Sequence, residues 1–334
     1  MNSDNASAGS TEQQPLKSTV NWTSIVLFII LTFAFSWTIW LGLRALGMPF
    51  IIRASIGMFG PALSALLLRL IRREGFADAG LRLVGRGRKG AGRMYFAAYL
   101  VPPVLIAIGI GLALLTGLQH WAFQANLQAL ARLITQQGQS LHPGGYSAQQ
   151  LALFSIIVQF ALAFTFAIPI NMIFTFGEEF GWRGYLLPRL GSLGGISAAI
   201  IIGIFWGLWH APLIVLDGYN YPGHPWLGVL MMVIFTISLS MIFAWLRFRS
   251  GSVWPSTLAH AALNAQAGFG LLLLSPADSL LRVPIGIIGL VPMIVFAAWL
   301  AATGRLKSEP DNRPVPENNV LPANLWVEPT IPDA

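Results

Sequence analysis

The stretch Phe176-Gly177-Glu178-Glu179-Phe180-Gly181-Trp182-Arg183-Gly184-Tyr185 sets two adjacent carboxylates and an arginine inside an apolar run from about Leu151 to Leu190. The chain has only 13 acidic residues. The others are Asp4, Glu12, Glu74, Asp78, Asp217, Asp278 and five beyond residue 308, all in termini or between apolar segments. An ionisable side chain at membrane depth costs at least ~2.5–3.5 kcal/mol, so by default it marks a functional site. Two side by side on one helix are not explained by packing.

The surrounding composition says what kind of helix this is. Of 334 residues, 55% are hydrophobic and 10% charged, whereas a soluble domain carries about 25% charged residues. The expected fold is therefore all-α, a polytopic membrane helical bundle. With no cysteine, disulfides, thiol nucleophiles and thiolate metal sites are excluded. The net charge of +7 reads as the Lys/Arg excess of cytoplasmic loops beside anionic lipid, not as nucleic-acid binding.

A helical span needs about 20 apolar residues, and eight transmembrane helices are expected: 24–46, 50–71, 95–117, 151–176, 195–216, 226–247, 255–275 and 283–303. The fourth runs on through the carboxylate motif and is too long for one straight span, with Pro169 and Gly177 as places to kink. Eight basic residues crowd 69–93. Placing that loop in the cytoplasm puts both termini there as well, with 15 basic residues inside and four (Arg44, Arg53, Arg132, Arg282) outside. Residues 118–150 form a polar outer connection. Within it, Leu127, Leu130, Leu133 and Ile134 give Trp121–Ile134 one apolar side, as in a helix lying in the interface.

Residues 1–22 are expected to be a disordered cytoplasmic tail, with no basic region or cleavage site of a signal peptide. Residues 23–305 form the transmembrane domain, its motif core at 170–270. A disordered, proline-rich tail covers 306–334.

Three polar sites interrupt the apolar helices: Glu178, Glu179 and Arg183; His210 in Phe205-Trp-Gly-Leu-Trp-His-Ala-Pro212; and His260 with Asn264 in Leu258-Ala-His-Ala-Ala-Leu-Asn-Ala265. Glu179 and Arg183 are i,i+4 and can pair, as can one face present His260 and Asn264 together. Glu178, about 100° round the helix, faces another partner. On the expected topology Glu178, His210 and Asn264 lie one or more turns into the bilayer and meet in a cavity reached from the cytoplasm. Such a set can activate water. A carboxylate serves as general base, a histidine holds the water or moves a proton, and an amide and an imidazole donate to an oxyanion.

These motifs resemble those of the CPBP family (CAAX-processing and bacteriocin-processing intramembrane proteases, the type II CAAX prenyl endopeptidases among them). Its E-E-x-x-x-R is matched by Glu178, Glu179 and Arg183. Its F-x-x-x-H is matched at His210, with Trp206 where phenylalanine is usual, and its H-x-x-x-N by His260 and Asn264. The resemblance covers about 170–270.

The resemblance implies an intramembrane endopeptidase, metal-free and of the glutamic type, in which Glu178 activates water shared with His210. His260 and Asn264 stabilise the oxyanion, and Glu179 with Arg183 shapes the site. It implies a CAAX-type or other membrane-associated substrate, a membrane protein or lipidated peptide, and a multi-pass place in a bacterial plasma membrane. No cofactor is expected. The alternatives are Zn²⁺ held by His210, His260 and Glu178, for which no H-E-x-x-H spacing is present; a non-enzymatic bacteriocin self-immunity or scaffold protein; and a proton-coupled transporter, for which no inverted repeat is seen.

Overall fold

A computed structural model of the protein describes residues 20–85, 87–88, 90–136 and 145–307. The expected tails at 1–22 and 306–334 fall almost wholly outside the described residues. Among those described the ordered elements are helical: α1 (Trp22–Ala45), α2 (Phe50–Gly57), α3 (Gly60–Arg72), α4 (Ala91–Leu115), α5 (Phe123–Gln136), α6 (Ala148–Phe164), α7 (Ala167–Gly181), α8 (Leu187–Arg189), α9 (Gly195–Trp209), α10 (Ala211–Asp217), α11 (Pro225–Ser250), α12 (Trp254–Gln266), α13 (Phe269–Leu273) and α14 (Ile287–Ala302). A π-helical turn, Trp182–Leu186, joins α7 to α8. The all-α membrane bundle read from composition is borne out.

Among the described residues, five helices are long and apolar enough to cross a membrane: Trp22–Ala45, Phe50–Arg72, Ala91–Leu115, Gly195–Asp217 and Pro225–Ser250. The bent pair Ala148–Phe164 and Ala167–Arg189 makes a sixth when counted as one span. All eight expected segments are helical, but the last two are short. α12 has 13 residues, about 20 Å at ~1.5 Å per residue, before the chain turns at Ala267–Gly268. α14 has 16 residues.

The fourth segment bends by 51° between α6 and α7, at Thr165, whose backbone lies at φ −126°, ψ −99°. Pro169 explains the place. A proline ring clashes with the carbonyl four residues earlier and has no N–H to give it, and residue 165 is four residues earlier. Gly177 is not a kink. The helix continues through it and through both glutamates to Gly181.

Gly177 and Gly181 instead let α7 lie directly on the α2–α3 corner. A Cβ on Gly177 would come 2.8 Å from the Met58 carbonyl oxygen, and one on Gly181 2.4 Å from Cβ of Pro61. Spaced i,i+4, they form one small-residue face of the kind that lets membrane helices approach closely. The bulky side of α7 turns toward α12, where Thr175 donates to the Thr257 carbonyl at 3.2 Å.

α9 crosses α11 in the same manner. A Cβ on Gly207 would come 2.5 Å from Cα of Val233. α11, α7, α9 and α12 thereby surround the interior, with α1 and α3 outside α7 and α14 outside α11.

The ends of the bundle are held by ions. At one end Asp217, closing α10, takes a two-pronged bond from Arg53 at 2.7 and 2.8 Å and a third from Arg44 at 3.1 Å. At the other, the loop after α3 is pinned to α8 and α11. Arg189 pairs with Glu74 and Asp78, and Arg247 donates to the Asp78 carbonyl. The helix expected within the outer connection is present as α5, where Leu127 is buried against Ala152 and Ile156 of α6.

Replacing Gly181 by Ala puts a methyl group against Pro61, an overpacking that costs about 1–3 kcal/mol. Gly42 has nothing within 4 Å of the same position. In SDS-induced unfolding of the purified protein, Gly181→Ala is expected to lower the midpoint clearly more than Gly42→Ala; equal midpoints would remove the tight crossing.

Candidate active site

The same glycine face that seats α7 on α3 aims the two glutamates inward. Glu179 is fully buried and Glu178 nearly so. Glu179 Oε1 accepts from Arg183 Nη1 at 3.0 Å, one turn along as the spacing predicts, and meets Nδ1 of His260 on α12 at 3.0 Å. The second contact was not legible from spacing, because it joins residues 81 positions apart.

Arg183 is also fully buried and lies in the π-helical turn. Its guanidinium sits 4.6 Å from the ring centre of Trp206 and 5.0 Å from that of Phe243. Desolvated cation–π contacts of this kind contribute up to about 2 kcal/mol. The widened turn is itself capped. Arg69, its side chain buried, donates to the Gly184 carbonyl at 2.8 Å and to Asp78 at 2.6 Å. In the sequence Arg69 counts only as part of a basic loop; in the fold it steadies the turn that carries Arg183.

Glu178 faces the other way, as its position on the helix predicts. Its Oε2 accepts from the indole Nε1–H of Trp206 at 2.5 Å. One turn on from Trp206 stands His210, at the joint between α9 and α10. Its Nδ1 meets the Trp206 carbonyl oxygen at 2.8 Å. A carbonyl only accepts, so Nδ1 carries the hydrogen and Nε2 is left for a ligand.

Glu178, His210, His260 and Asn264 all line one cavity of about 80 Å³, with Trp206, Tyr219 and Asn220 also in its wall. Glu179 and Arg183 are behind the wall, reached through His260. Asn264 is one turn beyond His260 on α12. Tyr219 lies parallel to the His210 ring at 6.3 Å between centres, and nothing in its loop sequence marks it out.

The lining extends from Glu178 to Tyr219 and Asn220 in the loop after α10. It includes no residue of the basic loop 69–93, which caps the opposite end of the bundle. The motif glutamates lie near that end, but the Arg69, Arg189 and Arg247 network closes it. Among the described residues, no three His, Asp or Glu side chains are grouped to hold a metal ion; His210, His260 and Glu178 share a cavity wall without converging.

Fold and site together define a multi-pass helical membrane protein with a cavity lined by Glu, His and Asn side chains. Residues 154–266 match the family described as Rce1-like, type II CAAX prenyl endopeptidase Rce1-like. A relative called "CAAX prenyl protease 2", from Methanococcus maripaludis, is 34% identical over 118 residues, 32% of this chain and 43% of the relative. The chain thus matches less than half of that relative's length. The family match covers the segment that carries the motifs, and both matches support the CPBP family read from them.

Removing one partner of a buried ion pair costs about 3–5 kcal/mol, because the other charge is stranded. Arg183→Met is expected to destabilise the protein by about that much in SDS unfolding, with Glu179 left facing an apolar side chain. An unchanged midpoint would show that the pair carries no stability.

Proposed function

We propose that the protein is an intramembrane endopeptidase that hydrolyses a peptide bond with a water molecule activated by Glu178. The observation that carries this reading is that Glu178, His210, His260 and Asn264, from three separate segments of the chain, all line one cavity. The Rce1-like match and the name of the archaeal relative support the reaction class, and a lipidated or other membrane-associated peptide is the proposed substrate.

With Oε2 of Glu178 occupied by Trp206, Oε1 takes a proton from water as the oxygen attacks the scissile carbonyl carbon. The neutral Nε2 of His210 accepts the water's other hydrogen bond and orients it. The carbonyl oxygen becomes an oxyanion, with Nε2–H of His260 and the Asn264 amide as donors. Glu178 then returns its proton to the departing amine as the C–N bond breaks. Water and amide are consumed; acid and amine are formed, with no covalent intermediate.

For His260 to donate from Nε2 while Nδ1–H is given to Glu179, it acts as an imidazolium. The site then holds two carboxylates, one guanidinium and one imidazolium, a neutral set, which is what a low-dielectric interior tolerates best.

The charge bias of the loops supports a cytoplasmic basic end, with the chain entering α1 and leaving α14 there. The absence of cysteine makes this directly testable. A single cysteine at Arg82, in the exposed basic loop, is expected to react with an impermeant maleimide only from the cytoplasmic side, and one at Thr116, at the far end of α4, only from the other. The reverse pattern would invert the topology.

The reaction is tested by incubating detergent-purified protein with membrane-soluble peptides, farnesylated C-terminal peptides among them. Glu178→Gln is expected to abolish cleavage without loss of folded protein, and His210→Ala and Asn264→Ala each to lose at least ~100-fold. A strong chelator is expected to change nothing. Wild-type turnover in Glu178→Gln would falsify the mechanism, and loss under chelation would transfer Glu178, His210 and His260 to a zinc site. Absence of cleavage across the whole panel would favour the non-enzymatic immunity or scaffold role.

A further inference from the structure

We infer that Trp206 is a positioning residue for this reaction, its indole fixing the glutamate and its backbone carbonyl fixing the histidine. The inference rests on the function proposed above and goes beyond it, since the family's usual phenylalanine at this position has no donor at all.

Two bonds from one residue set two roles. The indole Nε1–H can only donate, and it ends on Glu178 Oε2 at 2.5 Å. That assigns one carboxylate oxygen to the wall and the other to the water. The Trp206 carbonyl can only accept, and it faces Nδ1 of His210 at 2.8 Å. That assigns the hydrogen to Nδ1 and the lone pair to Nε2. Base and histidine are thereby oriented from a single backbone position on α9.

The ring is also held firmly enough to do this. Trp206 is 2% exposed, so its N–H has no bulk water as an alternative partner. Its faces and edges meet Arg183 at 4.6 Å, His260 at 5.3 Å and Phe243 at 6.0 Å. A tryptophan that merely filled space would need the contacts but not a donor aimed at one oxygen of the base.

Trp206→Phe separates the two possibilities, because it keeps the ring and the backbone carbonyl and removes only the N–H. On the best-cleaved peptide of the panel, kcat is expected to fall by at least about 10-fold, the loss of a hydrogen bond to a charged acceptor, with KM within about twofold and the unfolding midpoint little changed. In protein labelled with ¹⁵N at the indoles, the signal lost in Trp206→Phe, one of twelve, is expected to shift in Glu178→Gln. Wild-type kcat in Trp206→Phe, with Glu178→Gln inactive, would overturn the positioning role and leave the proposed function standing. Full activity in Glu178→Gln would overturn both. If Trp206→Phe does not fold, the spectrum of Glu178→Gln decides alone: no indole signal moving from its wild-type position overturns the inference.

Discussion

A carboxylate shared by a guanidinium and an imidazole, buried in an apolar bundle, is the constraint on which the rest depends. Glu179 binds Arg183 and His260 through the same oxygen. None of the three is affordable alone in such surroundings. Together they tie α7, the π-helical turn and α12 into one body. Once that body exists, Glu178 has only one direction left to face, toward α9, where Trp206 and His210 already sit. The place of Glu178 in the cavity wall is therefore a by-product of how a charged group is kept inside a membrane protein.

The helix crossings make this geometry available. α7 can bring two glutamates so near α9 and α12 because its opposite face, Gly177 and Gly181, has no side chains to hold it off α2 and α3. The Phe176-to-Tyr185 stretch thus encodes two surfaces at once. One is bare and packs on a neighbouring backbone; the other is charged and turned to the interior. The widened turn at Trp182–Leu186 rotates Arg183 into line, and Arg69 takes up one carbonyl within it.

Much of this was legible in the chain, and the rest was not for identifiable reasons. The apolar segments, the i,i+4 pair Glu179–Arg183 and the joint appearance of Glu178, His210, His260 and Asn264 are local features, and local spacing reveals them. The His260–Glu179 bond and the indole contact to Glu178 link distant parts of the sequence, so no periodicity records them. Trp206 was visible as a departure from a motif, yet its meaning depended on which way the ring points. Of the two kink sites the sequence offers, Pro169 accounts for the bend and Gly177 does not, and the bend falls four residues earlier because the clash is with the preceding turn. α12 and α14 are shorter than the segments expected there, because apolar composition continues beyond the helix itself.

Both ends of the bundle are fastened by arginines and carboxylates near its surface, whereas its waist is fastened by the buried Glu179–Arg183–His260 set, glycine crossings and aromatic rings. These two kinds of fastening answer to different surroundings. Arg44, about half exposed, and its partner Asp217 sit where dissolved ions can reach them, and exposed pairs weaken as ionic strength rises. The waist has no such sensitivity. Added salt acts on this molecule as a wrench that fits only the outermost bolt: it loosens Arg44 of α1 from Asp217, while the buried Arg53–Asp217 bond beside the cavity wall holds and the glutamates keep their seats.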